Sequence, residues 1–199
     1  MKHVRGLVAI GAVLAAVSVA PLAAQGQQAP LAIPNPHYEV ISLEIDINKP
    51  AAEVWKRVGK YCDIGEWFQL NCTILSGKDG EVGAVRSVAN EILVAKTEMS
   101  YTYTQPVRTG QPYNLYHGTM EARPVTATTS KMLYTLIYDN SMLADDAARQ
   151  QDRERRTTTF TRALQNMKTL AEGGTLPPPA RRGGGAGAPA GGAAGGRGN

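Results

Sequence analysis

Apolar and polar residues alternate over residues 39–48, with Ile41, Leu43, Ile45 and Ile47 on one face. Period-two alternation is typical of a strand with one buried face, so this segment is the first predicted strand. Lys49 and Pro50 end it, because proline suits the first turn of a helix. Apolar residues at helical spacing then predict a short helix that ends near Gly59. A second short helical or turn segment is predicted over 63–68.

Six further strands are predicted after these helices. They cover residues 73–76, 82–89, 92–96, 99–105, 115–122 and 132–138, with turns at 77–80 and 90–91 and a loop at 106–112. In the last three strands the apolar residues occupy alternate positions. This pattern indicates antiparallel strands with one covered face.

A long helix is predicted over 145–172, at the end of the patterned region. Its second half carries an apolar stripe that includes Phe160, Leu164 and Met167, and this half is expected to pack on the sheet. Its first half is very polar and is expected to project into solvent or to cover the rim of a cavity. The element order predicts an α+β fold, in which a curved antiparallel sheet of about seven strands wraps on the C-terminal helix.

Both ends of the chain differ from this domain, which is assigned to residues 38–172. Residues 1–24 combine a positive head, an apolar run and small residues, which predicts a secretory signal peptide and a periplasmic or secreted protein. The alternative is an uncleaved anchor. Residues 25–37 form a predicted linker rich in proline and glutamine. Residues 173–199 are mostly glycine, alanine and proline, and are predicted to be disordered.

The net charge of +4 comes from the two ends of the chain. Residues 25–180 hold 16 basic and 17 acidic side chains, so the domain itself has no excess of positive charge. A nucleic-acid-binding domain would need a basic face, and therefore no nucleic-acid partner is predicted. After signal cleavage no stable membrane span is expected either.

The chain has two cysteines, Cys62 and Cys72. An even number in an oxidising compartment favours a disulfide, and two reduced buried thiols are the alternative. A metal site is less favoured, because two cysteines lack two further ligands nearby. The sequence has no phosphate-binding loop, nucleophile elbow or His-Glu-x-x-His motif, so no metal and no cofactor are predicted.

Eight tyrosines against two phenylalanines are an unusual bias. Five of the tyrosines fall on predicted inward faces and are candidate ligand-binding residues: Tyr101, Tyr103, Tyr116, Tyr134 and Tyr138. Each adds apolar area and a hydroxyl that needs a partner when it is buried. Inward tyrosines suit a cavity for an oxygen-bearing, aromatic ligand. The alternative is ordinary core packing with the hydroxyls at the sheet edge.

Two further residues, Trp67 and Arg86, are candidates for ligand binding. Trp67, next to Phe68, is predicted either to contact a ligand at the pocket mouth or to plug the sheet. Arg86 is flanked by apolar residues. Facing inward it would bind a ligand carboxylate or phenolate, and facing outward it would lie in solvent. Alternation does not decide between these orientations. Trp55, on the first helix, is predicted to be structural.

Glu98 and His117 are weak candidates for catalysis. Each falls on the polar, outward parity of its strand, which favours a surface position. Both stay candidates for acid–base chemistry, because a β-bulge would invert either one.

Four stretches together resemble the START/polyketide-cyclase/Bet v 1-like superfamily. They are SLEIDINKPAAEVWKRVGKYCDIGEWF, GEVGAVRSV, MSYTYT and LYHGTMEARPV. The resemblance covers about residues 40–170, includes the element order and implies a helix-grip cup. Members of the superfamily include lipid carriers, plant hormone receptors, aromatase/cyclases and cofactor-free lyases. It therefore implies no single activity. No known catalytic set of the superfamily aligns residue by residue with this chain.

Three functions follow from these observations. The first is an exported binding protein that holds a small apolar or aromatic molecule, such as a lipid, polyketide or aromatic metabolite, between the sheet and the C-terminal helix. The second is a cofactor-free cyclase, lyase or hydratase that uses Tyr, Glu, His or Arg side chains on an aromatic or polyketide-like substrate. The third is an interaction module that uses the charged half of the long helix and the C-terminal tail. The sequence names no ligand and no oligomeric state.

Overall fold

The computed structural model describes residues 35–178. The predicted signal peptide, most of the predicted linker and residues 179–199 of the predicted tail lie outside the described residues. No helix in the described part of the chain is long and apolar enough to cross a membrane.

The described residues form seven strands and three helices in an α+β arrangement, as the sequence predicts. The elements are β1 (Tyr38–Ile47), α1 (Ala51–Val58), α2 (Ile64–Trp67), β2 (Ile74–Ser76), β3 (Val85–Arg86), β4 (Glu91–Lys96), β5 (Ser100–Thr104), β6 (Asn114–Pro124), β7 (Ser130–Asp139) and α3 (Asp146–Ala171). Helix α3 begins at its N-cap Asp145, whose carboxylate accepts a hydrogen bond from the Ala148 amide at 2.8 Å.

The seven strands form one curved antiparallel sheet in the order β1-β7-β6-β5-β4-β3-β2. Strand β1 pairs with the last strand, β7, and the remaining strands follow as a meander. The inner face carries the buried side chains of β5, β6 and β7, whose exposure alternates residue by residue. Because α1, α2 and α3 all contact one another or this sheet, the apolar core lies between the sheet and the helices.

The predicted strand over 82–89 is wrong in extent. Only Val85 and Arg86 join the sheet, and the exposed Val82 lies before them in a turn. Glycines at 77, 80 and 83 have positive φ angles, so the backbone around this segment turns repeatedly instead of extending. The two paired residues are nevertheless enough to set the direction of the Arg86 side chain.

The turn between β3 and β4 is centred on Ala89 and Asn90. Both residues have left-handed backbones, with φ of 50° and 53°, and the Glu91 amide donates to the Val88 carbonyl at 3.0 Å. A two-residue turn with both φ angles positive favours glycine or asparagine. Alanine in that conformation costs about 1–2 kcal/mol because its Cβ approaches the following carbonyl oxygen.

Replacing Ala89 with glycine is therefore expected to raise the free energy of unfolding by about 0.5–1 kcal/mol, as measured by urea denaturation. The matched control is Ala52→Gly on α1, which is expected to lower the stability by up to about 1 kcal/mol. An equal loss in the free energy of unfolding of both variants would show that the backbone at residue 89 is not strained.

Helix α3 packs along the free edge of β1. Arg153 donates from Nη1 to the Val40 carbonyl at 3.3 Å, and Lys168 donates from Nζ to the Asp46 carbonyl at 2.6 Å. These carbonyls point away from β7, so each basic side chain satisfies an acceptor that no neighbouring strand can reach.

Candidate functional site

A cavity of about 450 Å³ opens between the C-terminal end of α1 and the β4–β5 end of the sheet. It is lined by Trp55, Lys56, Gly59, Lys60, Tyr61, Asp79, Gly80, Leu93, Lys96, Thr97, Glu98, Ser100 and Tyr101. Helix α3 supplies none of these residues. This cavity lies beside the first helix. A second hollow of about 440 Å³ lies between β1 and α3, where the sequence expects a cavity, and residues such as Leu43 and Thr157 line it.

The apolar part of the cavity consists of Trp55, Tyr61, Leu93 and Tyr101. The Trp55 and Tyr101 rings are tilted against each other with centroids 5.7 Å apart. Trp55 takes this position because residue 59 is a glycine: a Cβ there would lie 2.4 Å from Cδ2 of the Trp55 ring. Trp55 thus lines the cavity, in addition to the structural role that the sequence predicts.

Tyr61 forms the buried part of the cavity wall. Its side chain is 1% exposed, and its ring meets the Tyr101 ring edge-on at 5.4 Å. Its hydroxyl is buried and has no hydrogen-bond partner among the described residues. Burial strongly raises the pKa of Tyr61, against the opposing effect of Arg86, so the hydroxyl stays protonated at neutral pH.

A disulfide follows Tyr61 directly. Cys62 and Cys72 are bonded at 2.01 Å, and the bridge ties the end of α1 to the segment before β2. The disulfide expected from the sequence is present in the structure. It limits the movement of the backbone that carries Tyr61, because the bridge closes only a short loop around α2.

Arg86 lies directly behind this wall and is fully buried. Its guanidinium lies 4.3 Å from the ring centroid of Tyr61 and 4.9 Å from that of Tyr103. Nη1 donates to the Tyr61 carbonyl at 2.5 Å and lies 3.5 Å from the Tyr101 hydroxyl. The structure therefore resolves the orientation that alternation left open: Arg86 faces inward, where aromatic rings attract its charge.

Glu91 neutralises Arg86. Its Oε2 lies 2.7 Å from Nε and 2.5 Å from Nη2 of Arg86, and Glu91 is only 3% exposed. The other carboxylate oxygen accepts from Gln105 at 2.8 Å, and Gln105 in turn accepts from the Tyr113 hydroxyl at 2.5 Å. A chain of hydrogen bonds thus runs from the back of the cavity wall to the loop before β6, and it satisfies the buried charges.

The predicted inward tyrosines are all buried on the inner face, but they mostly contact one another. Only Tyr101 lines the cavity; Tyr103, Tyr116, Tyr134 and Tyr138 lie further along the sheet. The Tyr103 and Tyr134 hydroxyls are 2.8 Å apart. The structure thus places four of the five candidates among one another's rings, outside the lining of this cavity.

Gly118 makes room for this core. It pairs with Tyr103 across the two strands, and a Cβ at residue 118 would lie 2.4 Å from Cζ of Tyr103. The tyrosine ring therefore lies over the glycine of the neighbouring strand. Close approach of a ring to the backbone is a reason for glycine inside a strand.

A second arginine closes the far end of the aromatic core. The Arg156 guanidinium lies 4.4 Å from the Tyr138 ring centroid, and its Nε donates to Asp152 at 2.7 Å. Burial raises the pKa of Asp152, but the hydrogen bond and charge of Arg156 outweigh it, so the pKa lies below its usual value. The polar half of α3 therefore covers one end of the sheet through this arginine and its aspartate.

Trp67 and Phe68 lie away from the cavity. Their rings are 4.9 Å apart, and Phe68 meets Phe160 of α3 edge-on at 5.9 Å. The Trp67 carbonyl accepts a hydrogen bond from Asn166 at 2.8 Å. Of the two predicted roles, the structure supports the plug, because α2 is fixed against α3 by these contacts.

The two candidates for acid–base catalysis lie apart. His117 is on the outer face of β6, where Nδ1 lies 3.0 Å from the Leu115 carbonyl. The pairing of β6 and β7 shifts register just before this residue, yet the shift leaves His117 facing outward. Glu98 is exposed and lines the rim of the cavity. It is the one of the two that a bound molecule can reach.

The rim carries charges of both signs. Lys56 and Lys60 lie on the α1 side, and Asp79 and Glu98 lie on the loops opposite. Lys96 lies on the loop side, where its ammonium donates to the Gly80 carbonyl at 2.8 Å. In the part of the chain that is described, no group of three or more His, Cys, Asp or Glu side chains is arranged to hold a metal ion.

Several residues of the cavity are not predicted from the sequence. The predicted candidates do not include Lys56, Lys60, Tyr61 and Leu93, and the sequence predicts only a structural role for Trp55. The available signal was the i, i+4 spacing of Trp55 and Gly59, which permits a large ring to lie over a glycine on one helix face.

The described residues have the helix-grip fold that the resemblance in the sequence implies, and several solved structures share this fold. A protein structure from Thermobifida fusca matches with a TM-score of 0.57 at 20% identity, over 69% of this chain and 97% of that chain. The Zhui aromatase/cyclase from Streptomyces sp. R1128 matches with 0.53 at 16% identity, over 70% and 100% of the two chains.

Norcoclaurine synthase from Thalictrum flavum also matches, with a TM-score of 0.53 at 13% identity, over 70% of this chain and 97% of that chain. No protein-family model matches the chain, and no curated protein sequence matches it. At these identities the similarity establishes the fold, and function has to be argued from the cavity.

Proposed function

We propose that this protein is an exported binding protein that holds a small apolar or aromatic molecule in the cavity beside α1. The observation that carries the proposal is the cavity itself, with about 450 Å³ of space over an apolar wall of two tyrosines, a tryptophan and a leucine. Small-molecule sites usually have volumes of about 300–1,000 Å³, apolar or aromatic walls and a few polar groups.

The wall is held rigid from behind, which suits a binding site. Tyr61 and Tyr101 lie against the buried Arg86, and the disulfide at Cys62 fixes the backbone next to Tyr61. A wall that is ordered before the ligand arrives costs little conformational entropy on binding.

Two observations support export. Residues 1–24 have the composition of a secretory signal peptide, and the disulfide suits an oxidising compartment. Expression in a bacterial host followed by mass measurement tests this point. A mature chain that begins at Gln25 and is recovered from the periplasm is expected, and a full-length cytoplasmic product would contradict export.

Replacing Trp55 with alanine is expected to weaken binding of the neutral fluorescent probe N-phenyl-1-naphthylamine by at least about tenfold, because the variant removes the largest ring of the wall. Fluorescence titration measures the affinity. The matched control is Tyr38→Ala, which removes an exposed ring outside the cavity lining and is expected to leave binding unchanged. Equal losses in both variants, or no binding to the wild type, would overturn the proposal.

A cofactor-free enzyme is the second candidate, because Arg86 and Tyr101 converge on the back of the cavity wall. In that case Tyr101, which lines the cavity and has its hydroxyl 3.5 Å from Nη1 of Arg86, would supply the acid–base group. An aromatase/cyclase and norcoclaurine synthase share the fold. Native mass spectrometry of the purified protein, followed by incubation of the extracted compound, separates the candidates: conversion over time favours the enzyme, and an unchanged stoichiometric compound favours the binding protein.

A further inference from the structure

We infer that the ligand of this cavity is an acid, with an apolar or aromatic body and one anionic group held on the α1 side by Lys56 and Lys60. The inference rests on the proposed binding function and adds the chemical class of the ligand. The anionic group of the ligand is a carboxylate or sulfonate, and it binds beside the last turn of α1.

Two positive charges border the cavity at the end of α1. Lys56 lies in the last turn of α1, Lys60 lies just beyond the C-cap Gly59, and both line the cavity. Neither forms an ion pair within residues 35–178. The neighbouring Arg57, by contrast, is neutralised by Glu66 at 2.7 Å through both carboxylate oxygens.

The buried hydroxyl of Tyr61 is the second, independent observation. It belongs to the cavity wall next to Lys60, it is buried, and no described residue accepts its proton. A buried donor without an acceptor costs free energy, so a shift of the Tyr61 ring that let a ligand oxygen accept from this hydroxyl would be favourable. An anionic oxygen is the strongest acceptor for such a donor.

The opposite side of the mouth sets the orientation of the ligand. Asp79 and Glu98 line that side, and Lys96 there is already bound to the Gly80 carbonyl and lies 3.2 Å from Glu81. The mouth is therefore positive beside α1 and negative across from it. An acid would bind with its charge toward the helix. Removal of a carboxylate from the side opposite α1 would raise the affinity for that acid.

The two lysines also have a purely structural interpretation, because cations near the C-terminus of a helix interact favourably with its dipole. That role predicts a small loss of stability when they are neutralised and no effect on ligand choice. Binding measurements with probes of different charge distinguish the two roles.

The experiment compares two fluorescent probes with the same aromatic rings, neutral N-phenyl-1-naphthylamine and anionic 1-anilinonaphthalene-8-sulfonate. The wild type is expected to bind the sulfonate roughly tenfold more tightly at low salt, and the preference should fall as salt rises. The double variant Lys56→Gln/Lys60→Gln should lose that preference and keep its affinity for the neutral probe. Glu98→Gln should raise the affinity for the sulfonate.

The matched control is Lys49→Gln/Arg162→Gln, which removes the same charge from two positions outside the cavity lining. It should keep the preference for the sulfonate. If the control loses the preference as fully as the lysine variant, net charge is the cause and the inference is overturned. Equal binding of both probes by the wild type also overturns it.

Failure of the proposed function gives a different result. In that case neither probe binds, or both bind without sensitivity to Trp55→Ala. The neutral probe can still bind and lose affinity in Trp55→Ala while the wild type shows no preference for the anion. This result keeps the binding function and overturns only the inference that the ligand is an acid. Energy transfer from tryptophan to the sulfonate probe that falls more in Trp55→Phe than in Trp67→Phe locates the probe in the cavity beside Trp55.

Discussion

Replacing Glu91 with glutamine is expected to lower the free energy of unfolding by about 3–5 kcal/mol, because it leaves Arg86 as an uncompensated buried charge. Arg86 has no exposed surface, and its guanidinium lies among tyrosine rings where water cannot replace the carboxylate. Glutamine has nearly the same shape as glutamate, so the loss reports the charge. Urea denaturation of both proteins measures the difference.

The matched control is Glu121→Gln, which breaks the exposed pair with Arg123 on the outer face of the sheet. An exposed pair contributes at most about 1 kcal/mol, so this variant should remain close to the wild type. A further variant, Arg86→Met/Glu91→Leu, removes both charges and is expected to be more stable than Glu91→Gln. If both Glu91→Gln and Glu121→Gln lower the free energy of unfolding by a similar small amount, the charge of Arg86 does not depend on Glu91 for its stabilisation.

Replacing both cysteines with serine is expected to lower the free energy of unfolding by about 3 kcal/mol, since the unfolded chain loses a cross-link over a separation of 10 residues. The same variant should bind N-phenyl-1-naphthylamine more weakly, because Cys62 adjoins Tyr61 in the cavity wall. Thermal unfolding and fluorescence titration measure the two effects.

Reduced wild-type protein provides the matched comparison for this variant. Treatment with dithiothreitol should reproduce both the lower stability and the weaker binding of Cys62→Ser/Cys72→Ser. Unchanged stability after reduction would show that α2 is held by its contacts with α3 alone, through residues such as Phe68 and Asn166.

The fold follows from the sequence because its long elements carry strong periodic patterns. Strands β1, β6 and β7 alternate over ten or more residues, and the structure has them within two residues of their predicted bounds. Strand β3 is the failure. It has only two paired residues, so its apolar neighbours lie in turns and alternation carries no information there.

The site was harder to predict, because it depends on contacts between elements that are distant in the sequence. The inward tyrosines were read correctly as buried, yet periodicity cannot tell whether inward side chains leave space or fill it. Four of them fill it, and the space lies instead beside Trp55 and Gly59, where a missing Cβ and a ring pack together. Arg86 faces the same wall from behind and is paired there with Glu91. The alternation of apolar and polar residues did not identify Glu91 as its partner.

The basic side chains of α3 on β1 have a consequence for how separate molecules meet. A ten-residue strand at the margin of a sheet is a template on which another chain can add as a further strand. Arg153 and Lys168 occupy the acceptors at Val40 and Asp46, so an incoming strand finds only the short interval between them. The helix that completes the fold thereby also protects the protein from growing into fibrils along its first strand.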